Sequence, residues 1–174
     1  NLNIKIDGPV SSTRYGLIMN DGRANGVNFE ASSTGGLGTF ALSAIGTAEC
    51  VYCTFKVDGS GAAGVTVSPP VAIRNSSFEN VGSAADSTSG VRMSGTGTTT
   101  IQNSTFKGLR TGVEFDSGQV DVRDSLFDLG SVANAHGFMV ANYNNSMSTL
   151  VGSMDGVTIA GSGTWRTLGS YSLE

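Results

Sequence analysis

Ile73-Arg74-Asn75-Ser76-Ser77-Phe78, Ile101-Gln102-Asn103-Ser104-Thr105-Phe106 and Val122-Arg123-Asp124-Ser125-Leu126-Phe127 are three versions of one six-residue pattern. An apolar residue opens it, a turn-prone residue stands third, and a large apolar residue closes it. Looser copies run from Asn1 to Ile6, Ala24 to Phe29, Cys50 to Phe55 and Met154 to Ile159. The closing positions are therefore 6, 29, 55, 78, 106, 127 and 159, at spacings of 21 to 32 residues. Self-similarity at this period is the signature of a solenoid.

A second pattern follows each copy of the first: a glycine that opens a short stretch of alternating apolar residues. It appears at Gly16, Gly38, Gly64, Gly90, Gly112, Gly137 and Gly163. Alternation of period two marks a strand with one buried face. A third short strand leads into the next copy, as in Thr99-Thr100-Ile101, Val120-Asp121-Val122 and Thr149-Leu150-Val151. Three strands per repeat imply a roughly triangular coil. One coil cannot bury its apolar residues alone, but stacked coils align equivalent side chains in ladders. Phe29, Phe55, Phe78, Phe106 and Phe127 are expected to form one internal column, with Ile6 and Ile159 at its ends. The third position holds Asn3, Gly26, Tyr52, Asn75, Asn103, Asp124 and Gly156. Asn, Asp and Gly tolerate the left-handed conformation of a sharp turn, and stacked Asn amides can bond from coil to coil. The expected fold is all-β: a single right-handed parallel β-helix of about seven coils over residues 1–174.

Composition agrees. Of 174 residues, 25 are Gly, 23 Ser and 17 Thr, which disfavours long helices. A hydrophobic fraction of 39% with a net charge of −4 argues for a folded chain. No basic run offers a footprint for nucleic acid, and no apolar stretch is long enough for a membrane span. Neither nucleic-acid binding nor membrane insertion is expected. Cys50 and Cys53 match the spacing of a redox or metal-ligand pair, yet there is no second ligand pair and the single histidine is His136. The preferred reading is two small buried or half-buried strand residues.

The hexapeptides and the glycine-led strands resemble the right-handed parallel β-helix of the pectate-lyase-like superfamily across nearly the whole chain. That superfamily includes polysaccharide lyases, hydrolases and epimerases, bacteriophage tailspikes and non-catalytic adhesins, so the resemblance implies a fold more narrowly than a function.

If the chain is an enzyme, the resemblance places its chemistry on the outer face of one sheet. The candidates are Glu114, Asp116, Asp121 and His136. The carboxylates cluster with Asp124, Asp128, Arg110 and Arg123, a set able to bind Ca²⁺ or to pair a general acid with a base. Outward-facing positions in the glycine-led strands are expected at Ile18, Phe40 or Thr39, Thr66, Arg92, Glu114, Met139 and Trp165. Arg92 and Glu114 then fall on neighbouring coils, with a surface ion pair as the plainer account. Arg92, Tyr143 and Trp165 are candidates for glycan contact, the aromatics by stacking on sugar rings. His136-Gly137 resembles a His-Gly pair of polygalacturonase-type hydrolases, but the companion acidic motifs are absent. Of three glycosylation-like triplets, Asn75 and Asn103 are expected to be shut inside the turn ladder, leaving Asn144.

The intervals between repeats leave little room for the large loops that wall a catalytic groove. The first expectation is therefore a non-catalytic extracellular, cell-surface or virion-surface module for assembly or glycan binding, self-associating through its coil ends or as a trimer. No cofactor is expected, apart from the Ca²⁺ option. The alternative is a lyase or glycoside hydrolase acting on an acidic polysaccharide. A third option is an ice-binding surface, from the partial outward column Thr54, Ser77, Thr105 and Thr158, interrupted by Asn28 and Leu126.

Overall fold

The computed structural model describes residues 2–7, 12–34, 38–82, 88–115, 117–140 and 151–161. In chain order the strands are β1 (Asn3–Ile6), β2 (Arg14–Asn25), β3 (Asn28–Ser32), β4 (Thr39–Val51), β5 (Thr54–Asp58), β6 (Ala62–Ser68), β7 (Val71–Arg74) and β8 (Ser77–Asn80). They continue with β9 (Ser89–Met93), β10 (Thr98–Gln102), β11 (Thr105–Lys107), β12 (Thr111–Phe115), β13 (Gln119–Arg123), β14 (Leu126–Asp128), β15 (His136–Val140), β16 (Val151–Asp155) and β17 (Thr158–Ala160). Every pairing between them is parallel, and no helix occurs among the described residues. The chain is a parallel β-solenoid.

One face, the phenylalanine face, is a seven-stranded sheet in the order β1-β3-β5-β8-β11-β14-β17. The other sheet bends into two faces. The long strands β2 and β4 run through the bend, whereas later coils use two separate strands: β4 pairs β6 through Thr39–Ile45 and β7 through Ala48–Val51. The glycine-led strands β6, β9, β12 and β15 make the second face, and β7, β10, β13 and β16 the third. Among the described residues the seventh repeat contributes β17 alone. Among the described residues the rod thus has fewer complete coils than the seven expected.

Inside, the five phenylalanines stack as expected. Phe29, Phe55, Phe78, Phe106 and Phe127 have successive centroid distances of 4.9, 4.5, 4.6 and 4.4 Å, with ring planes within 6° of parallel. Burying each such side chain contributes about 1.5–3 kcal/mol relative to exposure. Ile159 closes one end opposite Phe127, but at the other end Ile4, not Ile6, lies opposite Phe29. A two-residue slip keeps the same face inward. With isoleucine at both positions, hydrophobicity cannot choose between them. The observed register is the one that pairs Lys5 with Glu30 and the amide of Asn28 with that of Asn3.

Six of the seven expected ladder positions are left-handed, with φ of 64° at Gly26, 54° at Tyr52, 51° at Asn75, 49° at Asn103, 47° at Asp124 and 62° at Gly156, whereas Asn3, shifted by the same two-residue slip, lies in β1 opposite Asn28. The coil-to-coil side-chain bonds here come from the next residue instead of the amides. Ser76, Ser104 and Ser125 are buried. Their Oγ atoms accept from the backbone N–H of Cys53, Ser76 and Ser104 respectively, and donate to the carbonyls of Arg74, Gln102 and Arg123. Each hydroxyl closes its own turn and ties it to the preceding coil. Asn75 and Asn103 themselves are exposed, contrary to the expectation that the ladder shuts them in.

Cys50 and Cys53 are both buried, as expected, but they form a disulfide across this corner, with Cα atoms 6.1 Å apart. The left-handed residue Tyr52 reverses the chain between them and brings the two Cβ atoms to the same side.

Candidate functional site

On the second face, β9, β12 and β15 align Val91, Val113 and Phe138 inward. The positions one residue later therefore point outward. They form the column Ile18, Ser43, Thr66, Arg92, Glu114 and Met139. Phe40 belongs instead to a neighbouring outward column, Tyr15-Phe40-Ala63-Ser89-Thr111-His136. The cause is that the repeat after β3 places Ala41, not Gly38, beside Gly16.

Arg92 and Glu114 meet as the register expectation requires. Arg92 Nε donates to Glu114 Oε2 at 2.9 Å, and Ser89 Oγ donates to the same oxygen at 2.9 Å. The guanidinium also lies 5.7 Å from the centroid of the Phe40 ring. This is not the surface pair expected: the Glu114 side chain retains 8% exposure and that of Arg92 27%. Ser89, Thr111 and His136 are buried beside it. Ser89, Thr111, Glu114 and His136 are thus outward-pointing yet buried, with the half-buried Arg92 among them.

Asp121 lies on the third face. Its carboxylate accepts two bonds from Arg123, at 3.2 and 2.9 Å, and one from the Ser153 hydroxyl. Arg123 first, then Ser153, hold its carboxyl below the usual Asp range. Asp121 and Glu114 are therefore on different faces, each occupied by an arginine. Glu114 and Asp121 thus do not converge on one point, as two ligands of one Ca²⁺ would have to. Among the described residues no group of three or more His, Cys, Asp or Glu could hold a metal ion. Asp116, Tyr143 and Trp165 lie outside the described residues, as does Asn144.

The outer side of the phenylalanine face carries a pattern that the repeat reading missed. The residue after each buried aromatic, or its equivalent, gives the column Lys5-Glu30-Lys56-Glu79-Lys107-Asp128. Charge alternates at every step. Lys5 bonds Glu30 at 2.9 Å and Lys107 bonds Glu79 at 3.1 Å. Reading the position after each phenylalanine across the repeats would have found five of the six. Beside it runs the column Asn3-Asn28-Thr54-Ser77-Thr105-Leu126-Thr158, polar except at Leu126, which contains the partial threonine array.

Compared with known proteins, the chain matches no family model, no curated sequence and no solved structure.

Proposed function

We propose that this chain is a non-catalytic β-solenoid module of an extracellular, cell-surface or virion-surface protein, related in architecture to the pectate-lyase-like superfamily in its adhesin or tailspike branch, and that it assembles by adding coils at its ends. The observation that carries this reading is the edge of the phenylalanine face. Among the described residues β1 pairs only with β3 and β17 only with β14. Among the described residues each outer edge is left with backbone N–H and C=O groups spaced for another parallel strand, a template that natural proteins cover when it is not used. The Cys50–Cys53 disulfide supports an oxidising compartment.

Light scattering of the purified chain across concentration tests the reading. Trimers or a growing series of species support it; an unchanging monomer overturns it.

A second reading, a lyase or glycoside hydrolase on an acidic polysaccharide, draws on the buried Ser89, Glu114 and His136 and the half-buried Arg92 on one outer face. Buried ionisable groups concentrate at functional sites. Its test is depolymerisation of acidic polysaccharides with and without Ca²⁺, comparing the native chain with Glu114→Gln. Binding without cleavage favours a glycan-binding module over an enzyme.

A further inference from the structure

The alternating column on the phenylalanine face holds six charges, in the order Lys5, Glu30, Lys56, Glu79, Lys107 and Asp128, one on each strand of that face from β1 to β14, with the uncharged Ala160 after them on β17. Six is an even number, and an even alternating row has a property that an odd one lacks. Reversed end to end, it becomes its own complement. We infer that this face docks on a second copy of the same chain, the two rods lying antiparallel about a two-fold axis parallel to the strands that passes between β5 and β8.

The geometry follows from the registers. That axis reverses the order of the coils and keeps the strand direction, so the charged column faces itself. Lys5 meets Asp128 of the second copy, Glu30 meets Lys107, and Lys56 meets Glu79, with the same three contacts repeated on the other side of the axis. Every level pairs opposite charges. An axis along the rod would instead set each coil against its own copy, opposing like charges at all six levels. A two-fold interface of this kind is self-complementary and closes at two subunits.

Two features favour intermolecular use over a purely internal role. Within the column, Glu30 is paired to Lys5 and Glu79 to Lys107. Lys56, between them and next to the axis, makes no ion pair among the described residues. The flanking residues at the axis, Thr54 and Ser77, are short, which lets two faces approach. The face spans about 30 Å by 10 Å from strand spacing and rise. That is well below the roughly 800 Å² per partner of a standard stable interface. The dimer is accordingly weak, and salt controls it.

The face dimer is independent of the end-stacking proposed above, and one experiment separates the two. Sedimentation and small-angle scattering of the native chain at high concentration would be compared at about 0.05 M and 0.5 M salt, where screening lengths differ severalfold. The face dimer stops at two copies and roughly doubles the cross-section of the rod; end-stacking lengthens the rod at constant cross-section. Lys56→Glu places like charges across the axis and should weaken the dimer about tenfold or more, the effect of losing two attractive contacts for two repulsive ones. Lys56→Glu combined with Glu79→Lys restores opposite charge at every intermolecular level, although it sets like charges next to one another within each column. Recovery of dimer in this double variant, alongside a lower melting temperature, is the expected result. A salt-insensitive monomer at millimolar concentration, or equal dimerisation of native and Lys56→Glu chains, overturns the inference. Lys56→Gln, which adds no like charge to the column, gives the same reading if Lys56→Glu does not fold: it should weaken the dimer by a smaller factor.

Discussion

A Cβ added to Gly112 would lie 2.5 Å from the ring of Phe127 in the next coil and 2.6 Å from the Gly137 carbonyl oxygen. Gly90 stands in the same relation to Phe106 and the Gly112 carbonyl, and Gly64 to Phe78 and the Gly90 carbonyl. The glycines that open the second-face strands are thus the floor on which the phenylalanine stack rests. Gly112→Ala should cost about 2–4 kcal/mol, because both the ring and the backbone must move. The control is Gly26→Ala, where a Cβ meets nothing within 4 Å and only the positive φ is unfavourable, a cost of about 1 kcal/mol. Urea unfolding of the two variants checks the difference.

Ser104 sits in the middle of the buried hydroxyl ladder, accepting from Ser76 N–H and donating to the Gln102 carbonyl. Ser104→Ala strands the Ser76 N–H away from water, while the Gln102 carbonyl keeps the bond it accepts from the Asn75 N–H. The expected loss is about 1–3 kcal/mol. Hydrogen exchange should show the Ser76 amide losing more protection than the amides of β11 itself.

The Cys50–Cys53 bridge closes a ring of only four residues, so its effect on unfolded-chain entropy is small, about 2 kcal/mol. Cys53 occupies the corner filled by serine in the next three coils. A serine there finds the Val51 carbonyl within reach, since the sulfur already lies 3.7 Å from it. Cys50→Ala with Cys53→Ser should therefore melt higher than Cys50→Ala with Cys53→Ala. Differential scanning calorimetry of the two double variants decides it.

Arg92 and Glu114 are unequal partners. Arg92→Met leaves a carboxylate buried without its guanidinium and should cost about 2–4 kcal/mol. Glu114→Gln keeps an acceptor for Ser89, and Arg92 retains both solvent and the Phe40 ring, so the loss should be smaller. Unfolding both variants in urea tests the order.

Asp121 has its carboxyl held down by Arg123 and Ser153. A group whose folded pKa lies below its unfolded value adds stability above the unfolded value, near 3.8, and loses it as pH falls through the folded one. Stability of the native chain should decline as the pH drops below about 4, and Asp121→Asn should flatten that part of the profile. Urea midpoints measured from pH 2 to 6 check the slope.

The fold was legible because its determinants are short-range and repeated. The phenylalanine every coil, the left-handed residues at Asn75, Asn103 and Asp124, and the alternating strands are each visible within six residues. The site was less so. Arg92 and Glu114 could be matched once the registers were aligned, but not their burial, which depends on what surrounds an outward face. Asp121 shares a sequence neighbourhood with Glu114 yet faces a different direction, because each bend of the coil turns the next strand away.

What the sequence determined by itself was the parallel solenoid, since a repeated apolar pattern that cannot be buried within one coil leaves stacking as the way to exclude water. Only the tertiary structure decided that Ile4 and not Ile6 caps the aromatic column, that the buried serines and not the turn amides tie the coils together, that the two cysteines bond, and that six charges separated by 21 to 28 residues stand in one alternating row. Each of these depends on distances across coils, which are set when backbone hydrogen bonds lock one strand's register to the next. Period-two patterning leaves that register free by steps of two residues.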